Sequence, residues 1–191
     1  TSGFNIGTNY SLSPEFNEMV GFTEEEVRQM LAYYASVLPF RHSVDELIEV
    51  MKPWYGNYCF DNSECGMAII YNPAMVLNFV DNYIQSNYEI PKKPCEVISS
   101  TDHEIVRQLI RYAKEFAHDS SIIEDIMTKG FALGNILDIF PANSINTPDG
   151  ILSLLFNLGM VTIDGTHRGY TRFVITNEAV RNQMQTYLLD T

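Results

Sequence analysis

The sequence is poor in the residues around which catalytic and metal centres are commonly built. Three cysteines (Cys59, Cys65, Cys95) and four histidines are scattered over 191 residues, with no CxxC pair and no HExxH. Those spacings exclude the compact zinc motifs, and no metal ligand is read from them. A Cys-His nucleophile drawn from Cys59 or Cys95 with His103 has no local support, and a buried inert thiol is the plainer reading. The GxxxxGK[ST] phosphate loop is missing, as is an apolar strand ending in paired acids for magnesium. The chain is therefore expected to bind no triphosphate by itself, to carry no cofactor and to have no catalytic residue. No apolar run approaches the ~20 residues of a membrane helix, and no signal peptide precedes the first element, so no membrane partner is expected. An odd number of cysteines points to reduced thiols and a cytoplasmic setting.

Positive charge is the other shortage. Lys and Arg total 12 against 24 Asp and Glu, a net charge of -12. Such a surface repels nucleic-acid phosphates at long range, so binding them would require a local basic patch. What the chain does have is a globular composition, 46% apolar and 12% aromatic. A chain of this length suits one large domain or two small ones, and buries roughly 70% of its unfolded surface without needing a staple. It opens Thr1-Ser2-Gly3 without methionine, which reads as a piece of a longer protein.

Helix signals are dense. Thr23 with Glu26 forms a capping box ahead of the apolar stripe Val27, Met30, Leu31 and Tyr34, and Pro39 closes that helix. Ser43 with Glu46 repeats the device for Val44, Leu47, Ile48 and Met51. Asn72-Pro73 opens a third helix whose inner side is read as Val76, Leu77, Val80, Tyr83 and Ile84. IPKKP, residues 90–94, is the best linker. Beyond it, Thr101 with Glu104 caps a helix running to about His118, and a shorter one follows near Ser121 to Lys129. FALGNILDI predicts a short strand, and Thr147-Pro148 starts an apolar helix that Gly159 ends. MVTI and RFVI form a hairpin around DGTHRGYT, and Asn177 caps a final helix to about Leu189. The expected fold is mainly α with a small β component: a helical lid-like subdomain over 1–92, then a degenerate winged-helix-like subdomain over 93–191.

Three groups of residues are candidates for function. The stretch MKPWYGNYCF places Trp54, Tyr55, Tyr58 and Phe60 after one helix and before the next. These rings serve either as a structural corner, the plainer reading, or in part as a docking surface. Arg107, Arg111 and Lys114 lie on one side of a helix, with His103 and His118 at its ends. Like charges four apart do not favour the helix, so the stripe suits a phosphate, an acidic partner or acids of the same chain, the last being the plainer reading. The hairpin tip offers His167 and Arg168. The helix before it, PDGILSLLFNL, has no Lys or Arg and reads as core rather than as a groove reader, which argues against DNA binding.

In their order, the blocks TSGFNIGTN, GFTEEEV, WYGNYCF, YNPAMVLNFV, ILSLLFNLGMVTI and FVITNEAV resemble the bacterial AAA-ATPase-like family across nearly the whole chain. WYGNYCF departs from the family pattern, which has an acid or amide before the glycine. The resemblance implies a phosphate-loop ATPase core upstream and a PD-(D/E)XK nuclease-like domain downstream, both outside this chain. ATP and magnesium would belong to that longer parent, and the missing core and nuclease-like domain would be the partners. The implied function is a non-catalytic lid and interaction portion that couples nucleotide state to a partner. The alternative is a nucleic-acid-binding module serving the nuclease-like domain.

Overall fold

The computed structural model describes residues 12–60, 69–92, 108, 121–137 and 147–189. The chain is mainly helical, with two small antiparallel sheets. Among the described residues there are six α-helices, none long and apolar enough to cross a membrane.

A short strand β1 (Phe22–Thr23) leads into α1 (Glu24–Val37), and α2 (Val44–Tyr55) follows. Both starts are capping boxes: Thr23 and Ser43 accept from the backbone N–H of Glu26 and Glu46, whose carboxylates bind back. The return bond from Ser43 holds the Glu46 carboxyl below the usual range. Strand β2 (Ile70–Tyr71) pairs with β1 through Phe22–Tyr71 and Thr23–Ile70, and α3 (Pro73–Gln85) starts on the side chain of Asn72. Val27, Leu31, Leu47, Met51, Tyr71 and Phe79 form the centre of a first core. On α3 the buried arc is Met75, Val76, Phe79, Val80 and Tyr83. Leu77, read from sequence as inward, is exposed at 48%. The buried arc is centred between Val76 and Phe79, and Leu77 lies one 100° step off it.

The second core gathers around α4 (Ser121–Lys129), β3 (Ala132–Gly134), α5 (Pro148–Asn157), β4 (Val161–His167), β5 (Tyr170–Ile175) and α6 (Glu178–Leu189). The three strands form one sheet in the order β3-β5-β4, so the strand that comes first in sequence pairs with the last. Ile163 and Phe173 face inward on paired positions. A bulge at Asp164 and Gly165 shifts the register beyond Ile163. α5 ends in a Schellman arrangement: Met160 N–H reaches Leu155 C=O at 2.8 Å, and Gly159, at φ 69°, reaches Phe156 C=O at 2.9 Å. The positive φ is what glycine supplies there. The hairpin extends further than sequence suggests, because Asp164 to His167 and Tyr170 continue the strands.

Candidate functional site

The aromatic corner joins the two cores. α2 runs through Pro53, so Trp54 and Tyr55 belong to its last turn instead of following the helix. Pro53 cannot donate to the Glu49 C=O one turn earlier, yet the helix continues for two more residues. Tyr55 is 2% exposed within the first core, and Trp54 packs half-buried against that same core. Phe60 packs on the second core with its ring 6.0 Å from that of Phe156. Tyr58 stands between them, buried, with its ring stacked 6.3 Å from Phe60. Tyr55 and Tyr58 are closed to any docking partner; Trp54 and Phe60 keep part of their surface open.

Side chains distant in sequence hold this corner. Thr162 Oγ1 accepts from the Cys59 N–H at 2.7 Å and donates to the Cys59 C=O at 3.0 Å. The Asn177 amide does two jobs: its Oδ1 accepts from Val180 N–H at 3.0 Å, capping α6, and its Nδ2 donates to Gly56 C=O at 3.1 Å. The Asn17 Oδ1 accepts from Phe60 N–H at 2.8 Å. Ala179 of α6 lies in the first core, while Val180 and Met184 of the same helix lie in the second. Gly56 is required by space, since a Cβ there would stand 2.9 Å from Lys52 O. Burial pushes the Tyr58 phenol up, and hydrogen bonds with Asn72 and Asn177 offset part of that.

A crevice of about 280 Å³ opens beside the corner, lined by Asn57, Tyr58, Cys59, Thr162, Asp164 and Thr176 among others. Asp164 is its one carboxylate, and it pairs with Arg172. Cys59, 6% exposed, sits among main-chain and hydroxyl partners with no histidine in the lining. The crevice therefore offers hydrogen bonding and apolar contact but no nucleophile-base pair. Among the described residues no three His, Cys, Asp or Glu side chains gather where a metal ion could be held.

Charged side chains form a second cluster, on the outer side of the first core. Lys52 Nζ lies 3.2 Å from Glu24, and Arg28 bridges Glu24 and Asp45. The Tyr71 hydroxyl donates to Glu24 at 3.5 Å; burial and that carboxylate push its phenol well up. These groups tie α1 to α2 and β2, and they leave no cation facing a ligand.

Arg107, Arg111 and Lys114, with His103 and His118, lie outside the described residues. At the hairpin tip His167 and Arg168 are exposed, and Arg168 takes φ 54° beside Gly169 at 86°. α5 buries Ile151, Leu152, Ser153, Leu155 and Phe156, while Leu154 is half-buried and marks the outer edge of the helix. Sequence reasoning did not find Thr162 or the second role of Asn177. The cap was legible at Asn177, but nothing local points across 121 positions to Gly56. Compared with known protein families, curated proteins and solved structures, the chain has no match.

Proposed function

We propose that this chain is the non-catalytic lid and interaction portion of a bacterial AAA-ATPase-like protein, coupling the nucleotide state of an ATPase core to a partner. The observation that carries the reading is the joining of two cores. A capped helical unit is fastened to a helix-strand-helix-hairpin unit, and the strand order β3-β5-β4 of the latter supports the winged-helix-like reading. The helix before the hairpin is committed to the core, which favours an architectural over a groove-reading role. On this reading ATP and magnesium are held by the core, the nuclease-like domain lies downstream, and the setting is cytoplasmic.

Arg107 and Arg111 are the residues proposed to meet the core. A guanidinium stays charged and grips a phosphate or carboxylate with two parallel hydrogen bonds. In the longer protein, Arg107→Ala or Arg111→Ala is expected to lower nucleotide turnover while leaving the stability of this chain within about 0.5 kcal/mol. Unchanged turnover in both variants would remove the proposed interface. The second reading, a nucleic-acid-binding module, rests on the exposed His167 and Arg168. Titration against DNA and RNA at low and moderate salt separates the two. Salt-sensitive binding lost in Arg168→Ala would favour the second, and absence of binding at low salt the first.

A further inference from the structure

Helix α1 carries two lines of apolar side chains, and only one of them is covered. Val27 and Leu31 are fully buried in the first core, with Met30 and Tyr34 packed half-buried beside them. At about 100° per residue, the face turned away from that core carries Gln29, Ala32, Tyr33, Ser36 and Val37, all exposed. Tyr33 is 67% exposed and Val37 61%. Met30, Tyr33 and Val37 follow one another at intervals of three and then four, the spacing by which one helix meets another. A helix face that meets only water carries charge, yet from Gln29 to Val37 the sequence has no charged residue. Ala32 and Ser36 beside the outer line are small, so a second helix can approach closely.

Charge decides which partner fits. The helix opens with Glu24, Glu25 and Glu26, and Glu26 extends the line of Met30, Tyr33 and Val37 one turn towards the N-terminus. Glu24 is taken by Lys52 and Arg28. Glu25 and Glu26 are exposed, bonded only by the Gln29 amide and by Thr23, and among the described residues neither is paired with a cation. We propose that the outer face of α1 docks a helix of a partner protein, one with an apolar seam to meet Met30, Tyr33 and Val37 and with lysine or arginine to meet Glu25 and Glu26. A net charge of -12 attracts such a cationic partner at long range and repels a second copy of this chain, an anionic membrane or a nucleic acid. Tyr33 suits the contact, because its ring offers a large apolar area while its hydroxyl stays at the wet rim. A single helix face is a small interface, so the complex is weak and exchanges readily. The inference concerns α1 alone and does not depend on the assignment to an ATPase.

The probe is a synthetic peptide of leucine, alanine and lysine with its leucines alternately three and four apart, labelled for fluorescence anisotropy and titrated with the chain at low and moderate salt. One control has the same residues in scrambled order, which keeps the charge and loses the seam; a second has the seam with glutamate in place of lysine. The patterned lysine peptide should bind about tenfold more tightly than either, with an affinity that falls as salt rises. Tyr33→Gln combined with Val37→Gln should weaken it about tenfold, while Leu77→Gln, at an exposed apolar side chain elsewhere, leaves it unchanged. Should the double variant fail to fold, Glu25→Gln with Glu26→Gln, which keeps the capping box, decides instead by weakening the peptide about threefold. Equal binding of the patterned and scrambled peptides, or binding that survives these variants, would reduce the interaction to bulk charge and overturn the proposal. So would sedimentation showing a dimer of the chain that Val37→Glu abolishes, since the face would then be occupied by a second copy.

Discussion

Replacing Asn177 by alanine tests the joint where its magnitude is clearest. The side chain is 5% exposed and fills two positions at once, capping α6 through Val180 N–H and donating to Gly56 C=O. Removing the cap costs about 1 kcal/mol, and a buried carbonyl left without its donor costs about 1–3 kcal/mol more. Asn177→Ala should therefore lose about 2–4 kcal/mol in urea unfolding, followed by far-UV circular dichroism and by the fluorescence of Trp54, the chain's only tryptophan. Asn177→Ser separates the two parts. Serine caps as well as asparagine does but is too short to reach Gly56, so it should recover about 1 kcal/mol of the loss. A loss below about 1 kcal/mol for Asn177→Ala would mean that the bond to Gly56 contributes nothing net, and the account of the joint would fail.

Three further outcomes are expected. Leu152→Ala should cost about 2–5 kcal/mol, since Leu152 is fully buried, and Leu154→Ala clearly less, because the half-buried Leu154 leaves little cavity; equal losses in urea melts would contradict the burial of α5. Arg168→Asn should stabilise the hairpin by up to about 1 kcal/mol, because the tip has two consecutive positive φ angles that asparagine-glycine adopts more readily, and a lower thermal midpoint would refute this. Tyr58 and Tyr71 have phenols raised above the usual value of 10, so they stay protonated in the folded chain where the unfolded chain ionises. Their contribution is complete below about pH 10 and is lost as pH rises through the raised folded values. The urea midpoint should therefore fall in that alkaline range, and less so in Tyr58→Phe, with tyrosinate absorbance following the titration.

The helix boundaries were legible in the sequence because capping is local. Thr23 with Glu26, Ser43 with Glu46, Asn72 before Pro73, Thr147 before Pro148, and Gly159 after α5 all complete their hydrogen bonds within a few positions. The hairpin and the short strand β3 were legible from alternation and turn residues, though the bulge at Asp164 and Gly165 was not. Periodicity placed the buried side of α3 on the correct half of the helix but included Leu77, since a stripe says which residues are apolar and not which neighbour covers them. Extent failed at Pro53, where the helix runs on to Tyr55 although proline lacks the N–H that would bond one turn back.

The corner shows the division most sharply. Four aromatic rings around Gly56 and Asn57 could be recognised as a turn that buries area, and that much follows from residue types alone. Which ring serves which core was decided only when Tyr55 packed with Phe79 and Phe60 with Phe156. The bonds that lock the corner join Cys59 to Thr162 and Gly56 to Asn177, across 103 and 121 positions. A hydroxyl in a strand and an amide at a helix start look alike wherever they occur. Local chemistry sets what each can bond, and only the packing of two separate cores brings a particular main-chain group within its reach.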